Sequence, residues 1–165
     1  CKIAISVILS CFILFPLSAK QLFVSPEGDD SADGSSSGNA FKTMSKAVDA
    51  AEEGDEIVLL GIIDISQEPA DKIYNSDAYN KNNQGVKILD KGLTISGDPN
   101  QTRTKTGFTG NKTTTCLRLD GLNKKVTIRN LSIKEGNPTS DKGAGCFIRN
   151  ANVEFDNVSF QNNQN

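Results

Sequence analysis

The chain has 165 residues, no His and no Trp, and 18 basic against 20 acidic side chains for a formal charge of −2. Without histidine, Ser-His-Asp triads, Cys-His pairs and His-ligated metal centres are excluded, and the near-balanced charge offers no basic footprint for nucleic acid. Sixteen Asn and 14 Gly, with 26 Ser and Thr, make a composition of turns and strands, because Asn and Gly accept left-handed backbone and score poorly inside helices. Hydrophobic residues at 36 % exceed the share of a disordered chain and predict a thin or elongated core.

Residues Lys2 to Ala19 place one positive charge before an apolar run that ends in the small residues Ser18 and Ala19, the layout of a secretory signal peptide over 1–19. Pro16 and the shortness of the apolar run argue against a membrane anchor. The lack of an initiator Met and the stop at Gln164-Asn165 are read as cuts from a larger frame. Cleavage would remove Cys1 and Cys11 and leave Cys116 and Cys146, too few thiols for a zinc site in the absence of His.

The segment 20–55 is expected to form an N-terminal cap. Lys20 to Pro26 reads as a strand, Glu27 to Gly38 as a loop of turn formers, and Phe41, Met44, Ala47, Val48 and Ala51 as the apolar face of a three-turn helix ended by Gly54. A strand is predicted from Glu56 to Leu60. Beyond it, over 56–165, short apolar alternations recur between polar stretches, at Ile62–Ile65, Val86–Leu89, Leu93–Ile95, Leu117–Leu119, Val126–Ile133, Phe147–Ile148 and Val153–Phe160.

Two of these superpose: VTIRNLSI from Val126 lies over VEFDNVSF from Val153 at an offset of 27, and LTISGD from Leu93 matches at an offset of 33. In each of the first two the inward parity flips across one Asn, from Val126 and Ile128 to Leu131 and Ile133, and from Val153 and Phe155 to Val158 and Phe160. A period of two flips only where the backbone bends, and Asn is the side chain best suited to a left-handed bend. Asn130 and Asn157, with Gly97 as the earlier equivalent, are therefore assigned to a corner ladder. The fold predicted is all-β, a right-handed parallel β-helix (solenoid) with one N-terminal capping helix, incomplete at its C-terminal end.

The segment from Phe23 to Leu60 resembles the cap and first coil of secreted pectin-lyase-like β-helix proteins. Gly143-Ala144-Gly145-Cys146 followed by Phe160-Gln161-Asn162-Asn163 is similar to the GGAI and F-x-x-N repeat of the polymorphic outer-membrane protein family, with Gly143, Gly145, Phe160 and Asn163 as motif residues. That resemblance implies an exported, non-catalytic surface protein that displays or binds a cell-surface protein or glycan, and whose membrane association runs only through C-terminal regions beyond residue 165. Resemblance to polysaccharide lyases implies the alternative, a Ca²⁺-dependent carbohydrate-active enzyme with its catalytic coils downstream.

No catalytic, cofactor or metal residues are assigned. Asp120, Glu154 and Asp156, with Arg118 and Arg129 as candidate bases, are scattered and read as solvated charges. The loop Asp29 to Gly34 spaces oxygens as an EF-hand does, but Ala40 stands where the bidentate Glu belongs, so a structural turn is preferred to Ca²⁺. The insertions 64–85 and 98–115 are candidate ligand-facing loops through Tyr74, Tyr79, Arg103 and Lys105. Cys116 and Cys146 open corresponding strands, so a disulfide and two packed thiols are both open. Parity turns Cys116 outward and Cys146 inward, which favours the thiols. Sequons at Asn100, Asn111, Asn130 and Asn157 are of the frequency chance supplies, and a corner Asn facing inward has no room for a glycan.

Overall fold

In the computed structural model, residues 19–72, 85–137 and 143–164 are described. Among the described residues ten strands build two sheets in which every pairing is parallel. The larger sheet holds β1 (Gln21–Val24), β2 (Glu56–Leu59), β4 (Val86–Lys87), β5 (Thr94–Gly97), β7 (Leu117–Arg129) and β9 (Cys146–Asp156). The smaller sheet holds β3 (Ile62–Asp64), β6 (Gly107–Thr109), β8 (Ser132–Lys134) and β10 (Ser159–Gln161). The chain passes from the larger sheet to the smaller four times, β2 to β3, β5 to β6, β7 to β8 and β9 to β10.

The core follows from register. Parallel pairing without slip sets Leu22, Ile57, Ile95, Ile128 and Phe155 beside one another across β1, β2, β5, β7 and β9. Ile63, Phe108, Ile133 and Phe160 form the matching row of the smaller sheet. The two rows face each other, and at one end Phe155 and Phe160 meet edge to face with ring centroids 5.5 Å apart. From Val126 onward residues 27 apart pair between β7 and β9, and residues 33 apart pair between β5 and β7, the two offsets seen in the sequence; up to Leu122 the β7–β9 partners are 29 apart. A bulge between Leu122 and Val126 lets β7 keep both of its halves in register with β9.

Among the described residues the one α-helix, α1 (Met44–Ala50), packs Met44, Ala47 and Val48 into the same hydrophobic cluster as the strands. Seven residues are too few for a helix to persist alone in water, so its ends need partners. At the start, Glu68 accepts hydrogen bonds from Met44 N (2.6 Å), Ser45 N (3.1 Å) and Ser45 Oγ (2.5 Å). Burial pushes its carboxyl above the usual range, against the pull of these three donors. Asp30 holds the preceding turn through Lys42 N, Thr43 N and Thr43 Oγ1. At the far end, Lys91 Nζ donates to the carbonyls of Val48 (2.9 Å) and Ala51 (2.6 Å), where a cation complements the helix dipole.

These observations correct the expectation of an all-β, right-handed parallel β-helix. The described residues form a mixed fold of parallel sheets with a helix, and α1 belongs to the core cluster as fully as the strands do. β7 and β9 run on for 13 and 11 residues where separate short strands were expected. The helix is also shorter than its apolar spacing implied: Phe41 precedes it in an isolated parallel bridge to Val24, and Ala51 already has extended backbone. β6 lies inside the expected loop 98–115, because Gly107-Phe108-Thr109 shows one apolar residue and no alternation. The signal-peptide segment 1–18 lies outside the described residues.

Replacing Glu68 with Ala leaves three donors at the buried start of α1 without their acceptor. The variant is expected to lose about 2–4 kcal/mol in urea unfolding followed by circular dichroism, whereas Lys91→Ala costs about 1 kcal/mol. A Glu68→Ala variant as stable as the parent would contradict this role.

Candidate functional site

The corner residues divide. Asn130 and Asn157 have φ of 54° and 52°, in the left-handed region, at the junctions of β7 with β8 and β9 with β10. Both side chains are exposed, which corrects the inward placement: Asn157 Nδ2 donates to Asn130 Oδ1 at 2.9 Å, and Arg103 Nη1 donates to Asn157 Oδ1 at 2.5 Å. Gly97 is buried and is not among the glycines of positive φ; a Cβ there would stand 2.2 Å from the Asn130 carbonyl oxygen, so it is Gly for close approach. Arg103 and Lys105 are exposed, while Tyr74 and Tyr79 lie outside the described residues.

Of the four motif residues, the structure brings Gly145 and Asn163 together. Asn163 donates through Nδ2 to the Ile133 carbonyl at 3.0 Å and accepts from Gly136 N at 2.9 Å, tying the end of the chain to the turn after β8. Its side chain fills the space that a Cβ on Gly145 would enter at 3.1 Å. Gly143 has a φ of 41° and passes its carbonyl to Thr115 Oγ1 at 3.0 Å. Phe160 is 51 % exposed, at the open end of the smaller sheet's inward row.

Cys116 and Cys146 are both free thiols. Cys116 is fully buried, contrary to the parity reading, because the strand pleat begins only at Leu117. The carboxylates of the Asp29 to Gly34 loop are taken up by protein donors: Asp29 accepts from Ser31 N, Asp30 from Lys42 and Thr43, and Asp33 from Ser35 N and Oγ, and the Ser31 and Ser35 bonds hold the Asp29 and Asp33 carboxyls below the usual range. Among the described residues no group of three or more acidic or Cys side chains is placed to hold a metal ion. No helix among them is long and apolar enough to cross a membrane.

The outer face of the larger sheet carries the charged groups. Glu56 on β2 accepts from Gln21 Nε2 of β1 at 3.0 Å and from Arg129 Nη2 of β7 at 2.8 Å, reaching across β5. Together with Ser96 and Asn130 these residues line a cleft of about 110 Å³. The next positions in register continue the row, Arg129 beside Asp156 and Thr127 beside Glu154, with Lys125 paired to Glu154. Farther along β7 and β9, Asp120 receives Arg149 through both oxygens (2.9 and 2.7 Å) and Arg118 at 2.7 Å. Arg118 is only 2 % exposed in spite of its charge, and its guanidinium lies 4.3 Å from the centre of the Phe147 ring. The Arg149 and Arg118 hydrogen bonds hold the Asp120 carboxyl below its usual range, against the effect of burial.

The sequence singled out Arg118, Arg129, Asp120, Glu154 and Asp156 as separate charges; the register assembles them into two clusters on one face. It missed Gln21 and Glu56, since β1 and β2 share no repeat with the later strands. No known protein family, curated protein or solved structure matches the chain.

Because the folded-state pKa of Asp120 lies below its unfolded value, its contribution is present above the unfolded value, near pH 4, and is lost as pH falls through the folded one. At pH 7 the parent should exceed Asp120→Asn by about 1–3 kcal/mol in chemical denaturation. The difference should close progressively on acidification below about pH 5, and a gap that is constant or grows as the pH falls would contradict the account.

Proposed function

We propose that the chain is a non-catalytic binding and display module of an exported protein, whose outer sheet face meets cell-surface proteins or extracellular glycans. The observation that carries the reading is the Gln21, Glu56 and Arg129 cluster, where amide, carboxylate and guanidinium groups from three strands meet at one solvent-facing cleft. Adjacent parallel strands repeat every 4.7–4.9 Å or so, so such rows offer donors and acceptors at regular intervals along a rigid surface. Hydroxyl-rich polymers and extended peptides are ligands that suit this geometry, because they supply both hydrogen-bonding partners in sequence.

Glu56, Asp120 and Glu154 on this face are engaged with cations or amides, and burial pushes the Cys116 thiol up to about 12, so these groups support recognition better than turnover. The signal-like segment 1–19 supports export. Arg103, exposed and bonded to Asn157 of the Asn130 and Asn157 pair, extends the same surface.

Purified chain applied to an array of extracellular glycans and to intact cells should show saturable retention. Gln21→Ala combined with Arg129→Ala should weaken that retention by about tenfold, with the circular dichroism spectrum unchanged. Retention indifferent to both substitutions, or release of unsaturated products from a polyuronate in the presence of Ca²⁺, would overturn the reading.

A further inference from the structure

The sequence parity that turned Cys116 outward was the obstacle to pairing it with Cys146, and the structure removes it. Cys116 is fully buried, and its Sγ reaches the Lys134 carbonyl of β8 at 3.5 Å, so the side chain points between the two sheets. Cys146 packs against the same core cluster. The backbone brings the two residues together: Cys116 N and Leu117 N both donate to the Gly145 carbonyl, at 3.2 and 3.3 Å, and Leu117 is the register partner of Cys146. Cys116 and Cys146 are thus one residue off opposite on neighbouring parallel strands. Strand spacing and rise then place their Cα atoms about 6 Å apart. Disulfides span Cα separations of about 4.4–6.8 Å.

We infer that Cys116 and Cys146 are a disulfide site, closed while the chain folds in an oxidising compartment and joining the residue just before β7 to the first residue of β9. The oxidant is a small disulfide such as oxidised glutathione. One cysteine thiolate attacks it, forming a mixed disulfide and releasing one small thiol; the second thiolate then displaces the second small thiol and forms the Cys116–Cys146 bond. The two protons and two electrons end on the two released thiols. Cys116 is closed to solvent, Cys146 is partly covered by the core cluster, and burial pushes both thiols up, Cys116 to about 12, so the folded, reduced protein offers an oxidant little thiolate at Cys116. The bond therefore forms during folding, before β9 covers β7, and the reduced native protein resists the same oxidant.

The occurrence of this bond in the cell rests on the exported reading above; refolding in the test tube examines the pair alone. Full-length chain, unfolded and reduced, is refolded in oxidised and reduced glutathione, alkylated, and digested with trypsin without reduction. Mass spectrometry should find peptide Thr113–Arg118 joined to peptide Gly143–Arg149, lighter than the two reduced peptides by two hydrogens. Chain folded first under reducing conditions and then given the same mixture should remain largely reduced over the same time. Alkylation of both cysteines after oxidative refolding, or linkage of either one to Cys1 or Cys11 instead, would overturn the inference. Cys116→Ser should abolish the linked species, and where that variant fails to fold the parent peptide map decides. A linked pair in a chain that cells retain in their reducing interior sinks the exported reading and leaves this one standing.

Discussion

Parallel pairing in strict register is the constraint on which the rest of this molecule depends. Side chains alternate along a strand with a period of two, so a slip of one residue between neighbours would turn a whole inward row to solvent. Leu22, Ile57, Ile95, Ile128 and Phe155 hold one row, and Ile63, Phe108, Ile133 and Phe160 the other. Each buried aliphatic side chain contributes on the order of 1.5–3 kcal/mol when withdrawn from water. The same register that buries these rows lines up the outward ones, and the polar clusters at Glu56 and Asp120 are its consequence on the other side of the sheet.

The junctions between sheets are where this constraint meets the backbone. A residue that ends an inward alternation and starts another must bend the chain, and Asn130 and Asn157 do so with left-handed backbone at little steric cost. Their amides then bond each other in the open, so the corner also contributes to the surface. Gly97 meets a different demand, since the Asn130 carbonyl comes so near that any side chain would collide with it. The helix is pinned from outside itself: Glu68 and Lys91, 24 and 40 residues from the groups they hold, supply what a seven-residue segment lacks.

Local periodicity made part of this legible. The offsets of 27 and 33 between VEFDNVSF, VTIRNLSI and LTISGD are the pairing offsets, and the parity flip located two left-handed Asn, because both are properties of a strand and its neighbour. The continuous β7 and β9 were not legible, since the polar run Asp120 to Lys125 hides a bulged strand beneath turn-like composition. The burial of Cys116 could not be read from alternation, which does not apply before the first residue of the pleat. The helix caps and the Gln21, Glu56, Arg129 cluster are long-range contacts between segments with no shared pattern. The mixed class of the fold had the same cause: Met44, Ala47 and Val48 look like the face of a peripheral cap until the strands they pack against are known.

A rigid parallel-sheet face suits recognition because its donors and acceptors are positioned before any ligand arrives, which lowers the entropic cost of binding. All of this follows from the register, and the register is tested most directly by a double-mutant cycle. Ile95→Ala and Ile128→Ala remove direct row neighbours, whereas Leu22→Ala and Ile128→Ala remove members of the same row separated by two intervening strands. Equilibrium unfolding should show a coupling of about 0.5–3 kcal/mol for the first pair and additivity within about 0.5 kcal/mol for the second. Additive effects at Ile95 and Ile128, or stronger coupling between Leu22 and Ile128, would contradict the register and with it the surface built upon it.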